Sequence, residues 1–300
     1  MKKILVIGST NTDMVVKTDH LPAPGETILG GEFLMNPGGK GANQAVAAAR
    51  LGGRVCFVSK TGSDIFGKQA IQNFENEGID TTYLLTDSKK PSGVAMIAVD
   101  KNAENCIVVA PGANMNLTES DIGVALSKIK ESEIVLLQLE IPISTVEYAA
   151  RIASEKKARV ILNPAPATKL SAGLLKCITI ITPNETEAGL LTGIKVTDEN
   201  SAKKAALVLR EKGVEIIIIT RGSEGSFIYS DSVCKQVPAP KVKAIDTTAA
   251  GDTFNGALCV AIANGFDIEK AVVFANKAAS VAVTRLGAQS STPYKNEVII

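Results

Sequence analysis

Ile134-Val135-Leu136-Leu137-Gln138-Leu139, then a stretch of helical spacing from Val146 to Glu155, then Val160-Ile161-Leu162-Asn163, read as strand, helix and strand in succession. An unbroken aliphatic run marks a strand buried on both faces, and a helix between two such runs returns the chain so that they lie parallel. The pattern extends outward in both directions. Lys3 to Ile7, Val55 to Ser59, Ile178 to Thr182 and Ile216 to Thr220 are further strands, while Ala42 to Leu51, Ile65 to Glu77 and Ser201 to Glu211 have helical spacing. Gly52, Gly78 and Gly213 follow three of the helical stretches, where glycine admits a left-handed cap. The alternation predicts an α/β protein with a mainly parallel sheet sandwiched by helices.

Two stretches break the rhythm. Residues 13–35 place Pro22, Pro24 and Gly25 between extended segments, and in residues 93–109 Asp100-Lys101-Asn102-Ala103 separates two apolar runs. They read as two hairpins outside the main sheet which, if paired with each other, make a small β-sheet lid over a cleft or a dimerisation face. The last third differs again, since Ala249 to Ala263 and Ile268 to Leu286 are long helical stretches rich in small residues that permit close approach.

Composition removes several classes of function. Of 300 residues, 45% are hydrophobic and 21% charged, and Lys+Arg 32 against Asp+Glu 31 leaves a net charge of +1 with no like-charge block, which argues against a nucleic-acid partner. No apolar run approaches the roughly 20 residues that cross a bilayer, and the run from Ile4 stops at Gly8, so the chain reads as cytoplasmic with no membrane partner. Five scattered cysteines contain no C-x-x-C pair. The single histidine, His20, lies in a turn-like Asp-His-Leu-Pro, which removes Ser-His-Asp catalysis and multi-histidine metal sites.

In a parallel α/β protein, ligands bind beyond the carboxyl ends of the strands. Asn11, Asp13, Glu140, Asn163, Asn184 and Gly222 to Gly225 all follow strand runs. Gly62 to Lys68 fits G-x-x-x-x-G-K, but Gln69 stands where a P-loop needs Ser or Thr, and Gly8 begins no dinucleotide fingerprint. Asn36-Pro37-Gly38-Gly39-Lys40-Gly41-Ala42-Asn43-Gln44 opens a helix and is either a polyol or phosphate cradle or a flexible glycine turn with a cap. Asp246-Thr247-Thr248-Ala249-Ala250-Gly251-Asp252-Thr253-Phe254-Asn255-Gly256 puts two acids around a small-residue turn at a helix start. Amides there can hold a transferring phosphoryl group, or the acids are simply a cap and a first-turn residue.

These two segments resemble the paired signatures of the ribokinase-like, or PfkB-type, carbohydrate kinases, and the resemblance covers essentially the whole chain. Asn11-Thr12-Asp13, Gln138-Leu139-Glu140, Asn163 to Pro166, Thr182 to Glu187 and Val283 to Gln289 are similar to segments of the ribokinase branch. The resemblance implies one kinase unit over residues 1–300 that transfers the γ-phosphoryl group of ATP to the 5-hydroxyl of D-ribose. It implies Asp252 as general base, with the amides of Ala249, Ala250 and Gly251 as anion hole. Asn11, Thr12, Asp13, Gly39, Lys40, Gly41, Ala42, Asn43 and Glu140 would form the sugar seat. Asn184, Glu187, Thr220, Arg221, Gly222, Ser223, Glu224, Gly225, Gly251, Asp252 and Asn276 would line the nucleotide.

The resemblance further implies Mg2+ with ATP, and K+ held by Asp246, Thr248, Ala282, Arg285, Gly287 and Ser291, several through carbonyl oxygens. It implies a homodimer joined through the lid. A kinase of deoxyribose, a hexose or a nucleoside, and a non-catalytic sugar- or nucleotide-binding regulator, are the competing readings.

Overall fold

A computed structural model of the protein describes residues 1–102, 104–130 and 133–298. In chain order its elements are β1 (Lys3–Ile7), β2 (Asn11–Lys17), β3 (Phe33–Gly38), α1 (Lys40–Arg50), β4 (Arg54–Gly62), α2 (Ile65–Asn76), β5 (Asp80–Asp87), β6 (Gly93–Val99), β7 (Asn105–Ala110), α3 (Glu119–Ser127) and β8 (Ile134–Leu137). There follow α4 (Ile143–Glu155), β9 (Arg159–Leu162), α5 (Ala172–Lys176), β10 (Ile180–Ile181), α6 (Glu185–Thr192), α7 (Glu199–Glu211), β11 (Ile216–Thr220), β12 (Ser226–Tyr229), β13 (Cys234–Val237), α8 (Ala250–Ala263) and α9 (Ile268–Ala282).

The main sheet has nine strands in the order β13-β12-β11-β10-β9-β8-β1-β4-β5. All pairings from β11 across to β5 are parallel, and β12 and β13 add an antiparallel edge. The strands expected from sequence are β1, β4, β8, β9, β10 and β11, which are contiguous in the middle of the sheet. Alternation within them feeds two cores. Leu5, Ile7, Val135, Leu137, Val160 and Leu162 point to one face, covered by α3 to α7, while Ile4, Val6, Ile134, Leu136 and Ile161 point to the other, covered by α1, α2, α8 and α9. The helix expected to run to Leu286 ends at Ala282, because the Val283 carbonyl accepts the amides of Ile245 and Asp246.

The two hairpins do pair, through a parallel β2–β6 contact, into a four-stranded sheet of order β3-β2-β6-β7. Ala103, in the turn expected between β6 and β7, lies outside the described residues. Among the described residues, no helix is long and apolar enough to cross a membrane.

Glycines let α1 lie against its neighbours at backbone distance. A Cβ on Gly41 would sit 2.5 Å from the Ser9 nitrogen, and one on Gly256 of α8 would sit 2.6 Å from the Ala47 side chain and 2.8 Å from the Ala48 nitrogen. Helix α1 is thus wedged between β1 and α8, which brings its first turn to both. Gly41→Ala forces backbone apart and should cost about 1–3 kcal/mol in chemical denaturation. Gly78→Ala, at φ +70° with open space around it, should cost only about 1 kcal/mol from backbone strain.

Candidate active site

The carboxyl ends of β1, β8, β9, β10 and β11 open on one edge of the sheet, and the amino ends of α1 and α8 meet them there. A cleft at that edge is lined by Lys40, Asn163, Thr182, Asn184, Glu187, Thr220 and the turn Ala249 to Asp252. Asp252, in the first turn of α8, is buried, with its Oδ1 accepting from Gln44 Nε2 at 2.9 Å and its Oδ2 from Asn43 Nδ2 at 3.0 Å. Burial raises its pKa, and the Lys40 charge, Gln44 and Asn43 pull it back.

Ala249 caps α8 in the left-handed region, at φ 57°. That turn leaves the amides of Ala249, Gly251 and Asp252 without a partner among the described residues. The Ala250 amide, expected in the same anion hole, instead closes the turn on the Thr247 carbonyl at 3.2 Å. Unpaired amides at a helix amino terminus make a seat for an anion.

Asp13 leaves β2 on the lid face that looks into the cleft, its carboxylate so close over Gly38 that a Cβ there would lie 2.3 Å from it. It accepts no hydrogen bond among the described residues. Burial, with Glu140 and Asp252 nearby, pushes its pKa up to about 6 against the opposing charge of Lys40. Glu140 accepts from Ser9 Oγ at 2.5 Å and from the Lys40 amide at 3.0 Å, so it caps α1. Lys40 itself is held charged: burial opposes the charge, but Asp252, Glu140, Glu187 and Asp13 outweigh it. Burial also raises Glu187.

Several expected contacts fall elsewhere. Thr12 alternates to the face opposite Asp13 and lines a separate hollow beside Phe66 and Phe74 of α2. Gly41 and Ala42 are buried against the chain after β1, with the Ala42 amide donating to the Ser9 carbonyl, so they pack rather than face the cleft. Gly39, at φ +89°, opens α1 where a Cβ would strike the Asn11 nitrogen. Asn11 shares the Asp13 face, but its Oδ1 is taken by Asn114 Nδ2 at 2.8 Å.

On the nucleotide side, Asn184 caps α6, accepting from the Glu187 amide at 2.8 Å while Glu187 accepts from the Asn184 amide at 2.9 Å. Arg221 turns away to Glu185 at 3.2 Å and Gln236 at 3.0 Å. Gly222, Ser223 and Glu224 form an exposed turn after β11. Gly225 is buried at φ +92° where a Cβ would sit 2.2 Å from the Val237 carbonyl. Asn276 is buried in α9, its Oδ1 accepting from Ser226 and its Nδ2 donating to the Val237 carbonyl, so both ends of the amide are occupied by the core.

Asp246 ties two loops together, accepting from the amides of Thr248 and Gly287, each at 2.9 Å. Those donors hold its pKa low although burial opposes them. Ser291 Oγ donates to the Ala288 carbonyl, the Ala282 carbonyl accepts the Arg285 amide, and the Arg285 guanidinium pairs with Glu297. The amides of Ile245 and Asp246 donate to the Val283 carbonyl, so together with the Gly287 bond the segments that carry Asp246, Thr248, Ala282 and Gly287 are tied together, and Arg285 has its carbonyl left to offer.

Comparison with known proteins follows the same lines. The family model described as "pfkB family carbohydrate kinase" matches residues 1–295. A ribokinase of Haemophilus influenzae is 48% identical, over 99% of this chain and 97% of that protein. The crystal structure of a ribokinase from Thermotoga maritima superposes with a TM-score of 0.90 at 41% identity, over 99% of this chain and 98% of the other. An Arabidopsis thaliana ribokinase complexed with ribose and ATP superposes with a TM-score of 0.91 at 32% identity, over 99% of this chain and 97% of that one.

The raised pKa of Asp13 makes stability depend on pH. Between the unfolded value near 3.8 and the folded value of about 6 the folded state holds the extra proton, so this contribution is present below pH 4 and is lost as pH rises through 6. Asp13→Asn removes the dependence. Its melting temperature relative to wild type should be higher at about pH 7.5 than at about pH 4.5, and an equal difference at both would contradict the assignment.

Proposed function

This chain belongs to the pfkB family of carbohydrate kinases, and from that membership we propose that it phosphorylates D-ribose at the 5-hydroxyl with ATP, giving ribose 5-phosphate and ADP. The observation that carries the reading is the pairing of a buried carboxylate, Asp252, with the unpaired amides of the turn that precedes it, opposite the unbonded carboxylate of Asp13. One group can take a proton from a hydroxyl, the amides can hold the phosphoryl oxygens, and Asp13 can accept from ring hydroxyls.

In the reaction the sugar lies between the lid and the core, its hydroxyls received by Asp13, Asn11, Asn43, Glu140 and Lys40. Ionised Asp252 accepts the proton of the 5-hydroxyl as that oxygen attacks the γ-phosphorus, and the bond to the β-phosphate oxygen breaks to release ADP. Charge gathering on the γ-phosphoryl oxygens meets the amides of Ala249, Gly251 and Asp252 and the positive end of α8. Lys40 stands between the sugar side and Glu187 and offsets the carboxylates' repulsion of the anionic nucleotide. The turn after β11 and Asn184 flank the nucleotide, and Asn276 acts by shaping the slot from within.

Magnesium enters with ATP, whose phosphates supply its main ligands. A potassium ion would be held by Asp246 and the carbonyls of Thr248, Ala282, Arg285 and Gly287, with Ser291, in segments that hydrogen bonds from Ile245, Asp246 and Gly287 tie together. When bound, it adds positive charge behind the anion-hole turn without touching substrate. The lid leaves Met35, Met96 and Val108 exposed in one row on the face opposite Asp13, which supports a homodimer joined lid to lid, and core and lid act as one catalytic unit in the cytoplasm, where ATP is present.

ADP release from Mg-ATP should depend on D-ribose over 2-deoxyribose, fructose and adenosine, and should fall when tetramethylammonium replaces potassium. Asp252→Asn should lower turnover at least about a hundredfold while the protein stays folded. Release with another acceptor alone would move the specificity, and near-normal turnover of the variant would remove Asp252 as base. Met96→Asp should shift the sedimentation of the protein from dimer to monomer.

A further inference from the structure

Gln44 is fully buried and none of the roles above uses it. Its Nε2 donates to Asp252 Oδ1 at 2.9 Å and to Asn163 Oδ1 at 3.0 Å, and its Oε1 accepts from Gln138 Nε2 at 2.6 Å. Asn163 Nδ2 continues to the Thr182 carbonyl at 3.3 Å, Thr182 Oγ1 donates to Asn255 Oδ1 at 2.6 Å, and Asn255 Nδ2 donates to the Gly251 carbonyl at 2.8 Å. Gly251 precedes Asp252 in the chain. The hydrogen bonds therefore close into a ring that leaves the carboxylate by its side chain and returns to it by its backbone.

The orientation of each amide in the ring is forced. An ionised carboxylate only accepts, so Gln44 must turn its N–H groups to Asp252 and its oxygen to Gln138, and Gln138 must then donate. Gln138 Oε1 is left buried with no partner among the described residues, packed where a Cβ on Gly8 would lie 2.1 Å away. A buried amide oxygen without a donor is unfavourable. Here it is the consequence of aiming Gln44 at the carboxylate. Helix α1 supplies Gln44, the ends of β9 and β10 supply Asn163 and Thr182, α8 supplies Asn255, and Gln138 from the end of β8 branches from Gln44, so the ring joins α1 and α8 through the sheet.

We propose that Gln44 and Asn255 are positioning residues for phosphoryl transfer, Gln44 by fixing the orientation and ionisation of the Asp252 carboxylate and Asn255 by fixing the Gly251 peptide of the anion hole. The proposal rests on Asp252 being the base. A donated hydrogen bond favours the charged form of a carboxylate, and Gln44 and Asn43 are the neutral donors to this one. The charged groups that also face Asp252 are Lys40 from α1, Glu140 from the segment after β8, Asp13 from β2 and Glu187 from α6. None of them is altered when Gln44 is replaced. The ring holds the base and the anion hole at a fixed separation, which is what an in-line transfer between them requires.

The test compares wild type with Gln44→Met, which keeps the side chain's length and loses its donors, and with Asn255→Ala. Two quantities are followed: kcat and KM for ribose between about pH 5 and pH 9, and the titration of the Asp252 carboxyl carbon by NMR in the free enzyme. In Gln44→Met the Asp252 titration and the acid limb of kcat should both move up by about one pH unit, with activity recovering at high pH and KM for ribose within about twofold of wild type. In Asn255→Ala kcat should fall about tenfold at every pH, with the acid limb and KM for ribose unmoved.

A Gln44→Met protein that loses the same fraction of activity at every pH, with an unmoved Asp252 titration, overturns the role of Gln44. Wild-type kcat in Asn255→Ala overturns the role of Asn255, and decides it even if Gln44→Met fails to fold. Should wild type turn over no ribose, the functional reading fails, while the carboxyl titration still decides whether Gln44 governs Asp252.

Discussion

A carboxylate that sits out of water at the start of a helix, and that the proposed reaction requires to be charged, is the constraint around which this structure is arranged. Asp252 is buried among groups that raise its pKa, and the first turn of α1 answers with Lys40, Asn43 and Gln44. Those three residues reach it only because α1 lies against both β1 and α8, and that proximity depends on Gly41 and Gly256 having no side chains. The small-residue character of α8 follows from the same demand. A larger residue at the α1 contact would move the helix that carries the base away from the helix that steadies it.

The same constraint orders the charged groups around the cleft. Asp13, Glu140 and Glu187 all add negative charge around Lys40. Asp252 joins them at the positive end of α8, beside the unpaired amides of its turn. Asp13 arrives from the lid rather than the core, on the strand that joins the two hairpins. The lid is built from two hairpins distant in sequence, held together by the parallel pairing of β2 with β6.

How much could be read in advance varied with burial. The six strands β1, β4, β8, β9, β10 and β11 are covered on both faces and lie in aliphatic runs such as Ile4 to Ile7, Val55 to Val58 and Ile216 to Ile219, so their sequences declare them. β5 and β13 lie at the sheet's two edges, where one side meets water, and Asp80-Thr81-Thr82-Tyr83 or Cys234-Lys235-Gln236-Val237 carries no comparable run, while β12 is buried but offers only Phe227 and Ile228 between Ser226 and Tyr229. At the site, Asp13, Lys40, Glu140 and Asp252 were legible as charged residues beyond strands or at helix starts. Thr12 and Asn276 were misleading, since neighbours in a strand face opposite ways and a polar residue in a helix can be consumed entirely by the core. Gln44 and Asn255 stood in the quoted motifs without a role, because a buried amide has no meaning until its partners are known.

The sequence by itself determined the fold class, the two glycine- and small-residue-rich segments that open α1 and α8, and the charged residues beside the cleft, because period, burial and charge are properties of local runs. Tertiary structure alone decided which of those residues meet. Gln44 and Asp252 are separated by 208 positions, and Asn163 and Gln44 by 119, so no local pattern encodes their contact. It also decided that Ala250 closes a turn while its neighbours keep free amides, since a donor's availability depends on the geometry of the whole loop and not on its side chain.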